Sequence, residues 1–287
     1  MISLLFIFLG HTAYGITNTL WYNPRNTIGT LPLIMIRSFS CFLIFITSYY
    51  LLDYLQIIES KQIQIDTIIS TIQICIINYF GLFFFLQSLK HTKVSNTIGF
   101  SKVGLIFGIL IGYFVYHEQI SYTKMITCLL ILIGISLIEK SVKTEKEPLS
   151  KGLIYTFLSR LFWSSAFLFI PYINKLGILL FCSILEATVF SMSTILYIFS
   201  KKELVNKITT RIKKEIIFLI LLGTIGTFCL NFAIITTKSI ILFAFLGLIE
   251  PFVGLIVSKF YHKEKLNRLQ LIGILIGLVA SIILSIS

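Results

Sequence analysis

The sequence predicts an all-α integral membrane protein with ten transmembrane helices arranged as two inverted five-helix repeats. Three observations predict it. The chain is apolar throughout, with 56% hydrophobic residues, 13% charged residues and a mean hydropathy of +0.94 over 287 residues, more apolar side chains than one soluble core needs. Long apolar runs follow one another with short polar connectors, the longest being 54–66, 140–150 and 201–213, none long enough for a soluble domain. The pattern also repeats: moving back 146 positions maps Glu264 onto Glu118 and Gly254 onto Gly108. Five spans per half is an odd number, so two homologous halves must face opposite ways.

The expected spans are 2–21, 31–53, 67–89, 94–116, 121–139, 151–171, 177–200, 214–236, 240–260 and 269–286, most of them near the roughly 20 residues that cross a bilayer core. The first follows from a start, Met1-Ile-Ser-Leu, that lacks the basic region and small-residue cleavage site of a signal peptide. The fourth carries Gly104, Gly108 and Gly112, a four-residue repeat of small positions suited to close helix contact. His117-Glu118-Gln119 precedes the fifth and Lys263-Glu264-Lys265 the tenth; Glu118 and Glu264 are expected to satisfy amides at those helix starts. The charged, proline-containing segment 140–150 divides the chain into repeats at 1–142 and 148–287, with Ser150 as a cap for the next helix. In the ninth span Pro251 cannot bond back to Gly247, which loosens that turn and frees a carbonyl near Glu250. Gly247 and Gly254 lie on the same side of that helix as Glu250 and leave room beside it.

Even-numbered connectors hold only Lys61, Lys124, Lys175 and Lys238, whereas odd-numbered connectors hold the other connector cations, which places the odd connectors in the cytoplasm and both termini outside. The net charge of +12 is thus explained by orientation in an anionic membrane rather than by nucleic acid. The expected location is the cell membrane, multi-pass, with the bacterial inner membrane as the compartment. Cys41, Cys75, Cys128, Cys182 and Cys229 fall singly in separate apolar runs and read as core residues, not as disulfides or a metal site. No metal, cofactor or nucleotide motif is present, and the expectation is a transporter rather than an enzyme.

Five charges lie well inside spans, away from their ends: Arg37, Lys102, Arg160, Glu186 and Glu250. Each costs about 2.5–3.5 kcal/mol even on insertion scales, so each must face a cavity or another charge. Lys102 and Glu250, near the middles of the fourth and ninth spans, are the pair expected to mark a substrate cavity. The other reading of that pair is a structural ion pair holding the halves together. Arg37 and Arg160 lie nearer span ends and could snorkel. Glu186 is either a substrate contact or the partner of one of those arginines. Tyr14, Asn18, Asn78, Gln87, Trp163 and Asn231 could add hydrogen bonds and aromatic walls to the same site, or serve packing alone. His11 reads as a histidine packed between helices, with a proton-linked role as the alternative.

The second repeat ends with Glu250-Pro251, Gly254, Lys263-Glu264-Lys265-Leu266, Gln270-Leu271-Ile272-Gly273 and Gly277. The first matches it through Ser88-Leu89, Thr92, Gly108, His117-Glu118-Gln119 and Gly134. Tyr14-Gly15 and Phe162-Trp163 stand at the start of each repeat, and Arg37 in the second span. In order, spacing and duplication these residues resemble the ten-span, EamA-like branch of the drug/metabolite transporter superfamily. Leu105 stands in the proline position of the first repeat, and His117 and Lys263 replace a usual glycine. The resemblance implies a secondary transporter, an exporter or exchanger, working by alternating access through a central cavity, with a small-molecule substrate and membrane lipids as its partners. Charges of both signs suit an amino acid or another zwitterionic or charged derivative. An exporter of cationic or aromatic drug-like compounds is the alternative within transport, and an intramembrane lipid-modifying enzyme is the alternative outside it. Proton coupling, and the choice between monomer and homodimer, stay open at this stage.

Overall fold

The computed structural model describes residues 2–58, 63–91, 101–119, 121–142, 151–200, 208–237, 239–261 and 268–286. They form helices α1 (Ile2–Leu20), α2 (Tyr22–Ile28), α3 (Thr30–Tyr54), α4 (Ile65–Ser88), α5 (Ser101–Phe114), α6 (Tyr122–Val142) and α7 (Lys151–Trp163). After a 3₁₀ segment at Ser164–Leu168 come α8 (Ile170–Leu176), α9 (Ile178–Phe199), α10 (Thr210–Thr236), α11 (Ile240–Leu246), α12 (Ile249–Tyr261) and α13 (Arg268–Ile286). The architecture is an all-α, multi-pass membrane bundle. Its outer faces are apolar, with Ile36, Phe39 and Leu43 on α3, Ile69 on α4, and Ile217, Phe218, Leu221 and Ile225 on α10 all exposed. Apolar patches of that extent would drive a water-soluble protein to aggregate and instead suit hydrocarbon.

Among the described residues five segments are long and apolar enough to cross a bilayer: α3, α4, α9, α10 and Ile240–Tyr261. Ile154–Leu168 and Ile170–Leu176, bent by 47°, make a sixth if counted as one span. That is fewer than the ten expected, counted over the described residues alone. α1 has 19 residues but carries His11, Tyr14, Thr17, Asn18 and Thr19 on its length. Within α5 and α6 the apolar stretches counted among the described residues are Gly104–Phe114 and Met125–Gly134.

The connector expected after the first span is itself a helix, α2. It stops at Gly29, whose φ of 91° lies in the region open mainly to glycine, and α3 begins at the next residue. The same device ends α8 at Gly177, φ 80°, before α9. In both places the glycine closes a tetrapeptide that opens on asparagine, Asn26 and Asn174. The sixth expected span is broken rather than straight: the Ser164 hydroxyl donates to the Arg160 carbonyl at 2.8 Å, and Pro171, which lacks an amide hydrogen, sits in the first turn of α8.

Packing follows the helix pairs. α3 runs along α9, α6 along α13, α1 along α10 and α12, α4 along α7 and α9, and α5 along α11. The carboxylate of Glu118, expected at the start of α6, accepts from the Ser239 hydroxyl at 2.7 Å, the Ile241 amide at 3.2 Å and the Ile240 amide, and so caps α11. Residue 117 holds φ 53°, and the Glu118 amide closes onto the Gly112 carbonyl at 3.0 Å, a helix-ending turn that favours glycine but is built here with His117. Glu264 lies outside the described residues.

Candidate functional site

A cavity of about 240 Å³ lies between the helices. Tyr14, Trp21, Tyr79, Trp163, Phe167 and Phe243 supply aromatic wall, and the described in-span charges, with His11, Asn18, Asn78, Thr227 and Asn231, supply the polar part. Two carboxylates organise the polar part into two clusters of different tightness.

Glu250 is the first. α11 ends at Leu246, a turn covers Gly247 and Leu248, and α12 starts at Ile249, so Glu250 stands in the first turn of a helix, where its charge meets the positive dipole end. The carbonyl of Gly247 is not left free as expected, because the Glu250 amide donates to it at 3.2 Å. Facing Glu250 on α1 are His11, Gly15 and Asn18, at helical spacing on one side. Gly15 permits the approach: a Cβ there would sit 2.7 Å from the Glu250 carbonyl oxygen and 2.8 Å from the Val253 Cβ. Asn18 Nδ2 then donates to Glu250 Oε1 at 2.6 Å, and His11 Nδ1 lies 3.6 Å from Oε2. From α7, Arg160 brings Nη1 to 3.6 Å from Oε1, with its guanidinium 5.4 Å from the centre of the Trp163 ring. These charges approach but do not close hydrogen bonds with one another: both His11 ring nitrogens and Arg160 Nε are buried with no partner among the described residues.

The second cluster is closed. Arg37 on α3 donates from Nη1 to both oxygens of Glu186 on α9, each at 2.5 Å, and reaches Thr227 Oγ1 from Nη2 at 3.4 Å. Tyr14 shares a 2.7 Å hydrogen bond with the same threonine hydroxyl, and Asn231 donates to the Thr227 carbonyl at 2.8 Å. Arg37 and Glu186 are 6% and 1% exposed, so neither snorkels. Arg160 likewise turns inward. Glu186 is thus the partner of Arg37, one of the two roles expected for it.

The structure brings Tyr14, Asn18, Asn78, Trp163 and Asn231 to the cavity with Arg37, Arg160, Glu186 and Glu250, but not Gln87, which is absent from its wall. The Lys102 side chain lies outside the described residues; the cation placed on Glu250 is Arg160. Gly104 faces the cavity with nothing within 4 Å of its Cβ position, whereas Gly108 and Gly112 pack on Ala244 and Ile241 of α11. Gly247 borders the His11 ring, Gly254 approaches the Gly15 carbonyl, and Pro251 lines the cavity beside Glu250. His11 is packed between helices, 6% exposed beside the Phe243 ring, and also lines the cavity. It shares one face of α1 with Gly15 and Asn18.

A multi-pass helical bundle around a buried, charged cavity defines a membrane protein with room for a small molecule inside the bilayer. A family model described as the EamA-like transporter family matches residues 1–139 and again 150–286, and the chain belongs to that family of transporters. No curated protein matches the chain significantly. A solved chain, described only as a crystal structure of a protein, is similar over 98% of this chain and 98% of its own, with a TM-score of 0.75 at 12% identity, a likeness of fold alone.

Proposed function

We propose that the protein is a secondary transporter that carries a zwitterionic metabolite, an amino acid or a close derivative, by alternating access of two inverted five-helix repeats at 1–142 and 148–287. The helix packing supports two equivalent halves. Exchanging the halves turns the α1 and α10 contact into the α7 and α4 contact, and leaves α3 on α9 and α6 on α13 unchanged. The family model matching twice along the chain supports the same division.

The observation that carries the substrate class is the open Glu250–Arg160 pair. The two charges stand 3.6 Å apart on the cavity wall, short of a hydrogen bond, and each is 14% exposed there. A ligand ammonium on Glu250 and a ligand carboxylate on Arg160 would satisfy both desolvated charges, which neither achieves with the other. Size supports a small metabolite over the drug-like alternative: about 240 Å³ lies below the ~300 Å³ at which drug-sized sites begin.

The test is uptake into proteoliposomes of amino acids, organic cations and nucleotide metabolites, for wild type, Glu250→Gln and Arg160→Met. Amino-acid flux is expected in the wild type, with the apparent affinity reduced roughly ten- to a hundredfold in each variant, the equivalent of a lost charge-assisted hydrogen bond of about 1.5–3 kcal/mol. Wild-type flux of simple monocations alone would overturn the zwitterion reading.

A further inference from the structure

His11 is 6% exposed, and neither ring nitrogen has a hydrogen-bond partner among the described residues. A buried imidazole is normally satisfied on at least one side. Here the polar atom nearest in geometry is Glu250 Oε2, 3.6 Å from Nδ1. The two carboxylate oxygens are differently engaged. Oε1 accepts from Asn18 and faces Arg160, while the described ionisable group facing Oε2 is His11. The ring is held in place by Phe243 at 5.5 Å and by the backbone at Gly247, where a Cβ would sit 3.3 Å from Cε1.

Among the described residues, the other ionisable groups around α1 do not compete for this role. Segment 216–236 of α10, which packs along α1, contains no Asp, Glu, Lys, Arg or His. α11 contributes Phe243, α12 contributes Glu250, and α7 contributes Arg160 across the cavity. α1 itself adds Tyr14, which is bonded to Thr227, and Arg37 and Glu186 on α3 and α9 are closed on each other. The set Glu250, Arg160 and neutral His11 carries no net charge; a proton on His11 makes it +1.

We propose that His11 is the proton site of this transporter: its imidazolium and the ammonium of the substrate compete for Glu250 Oε2, so that one proton is exchanged for each substrate. This rests on the zwitterion reading above. When the substrate ammonium docks on Glu250, its charge repels the imidazolium a few ångströms away across the same oxygen, and the Nδ1 proton leaves to the aqueous phase on the side to which the cavity is open. On the opposite side a proton returning to Nδ1 displaces the substrate. Binding therefore weakens as pH falls through the His11 titration, approaching about tenfold per pH unit, because the protonated state is the one that excludes substrate.

Two measurements test it. In the substrate-free protein, nitrogen NMR of labelled histidine identifies His11 as the signal missing from His11→Gln among the four histidines. That signal is expected to respond to pH, and its response to differ in Glu250→Gln, which removes the carboxylate facing Nδ1. A signal that does not titrate, or that ignores Glu250→Gln, overturns the proposal without reference to any substrate. In proteoliposomes with an internal pH dye, amino-acid flux is expected to drive protons the other way, and protons moved per amino acid fall in His11→Gln. Amino-acid flux without proton movement in the wild type also overturns it. If His11 titrates as expected but no amino acid moves, the zwitterion reading fails and the proton site stands.

Discussion

Arg37 and Arg160 are the same side chain used in two ways. Arg37 donates to both oxygens of one buried carboxylate at 2.5 Å, and Thr227 satisfies what remains, so removing either partner strands a charge. Arg37→Met is expected to lower stability in detergent by about 3–5 kcal/mol, and Arg37→Met with Glu186→Met by clearly less than the two single changes summed. Additive losses in chemical denaturation would show that the pair is not a clamp. Arg160, with Nε unpartnered and Nη1 at 3.6 Å from Glu250, has less to lose on folding and more to offer a ligand. The sequence made these residues visible because charge in hydrocarbon is costly, and it singled out Arg37, Lys102, Arg160, Glu186 and Glu250 on that ground. It could not assign partners. Which carboxylate meets which guanidinium depends on how α3 lies on α9 and α7 on α12, and helix packing leaves no local mark on composition.

At the scale of the helix, α1 is polar along one side because that side is bound to α12 rather than to lipid. Gly15 is the contact point, with the Thr19 hydroxyl donating to the Gly254 carbonyl at 3.2 Å one turn on. Gly15→Val is therefore expected to push α1 off α12, breaking the 2.6 Å Asn18–Glu250 hydrogen bond and lowering the melting temperature together with amino-acid uptake. Normal melting with normal uptake would show that the two helices do not need this approach. Apolar length marked most helices well, and the turn before Glu250-Pro251 was legible from proline chemistry. The breaks at Gly29 and Gly177 were not, since α2 and α8 are seven residues each and too short to carry a periodic pattern. The recipient of the Glu118 cap was also hidden, because α11 is 121 residues or more further along the chain.

For the whole molecule, exchanging a net-neutral zwitterion for one proton moves one charge across the membrane per cycle. A potential of 100 mV acts on that charge with about 2.3 kcal/mol, about fiftyfold in the substrate ratio the transporter can sustain. Uptake should respond to the sign of an imposed potassium diffusion potential; indifference to it would mean that the cycle carries no net charge. The pairing of charges across the halves bears also on how the chain is made. Arg37 precedes Glu186 by 149 residues, and His11, Asn18 and Arg160 all precede Glu250. At roughly 5–20 residues per second, Arg37 waits about 7–30 s in the growing chain before its carboxylate is synthesised. During that interval its long stem can carry the guanidinium to the headgroups. The later of the two cavity carboxylates, Glu250, reaches the membrane with every described partner already there. Nascent chains interrupted before residue 186 would hold an arginine with no carboxylate to close on, and quality control has that group to recognise.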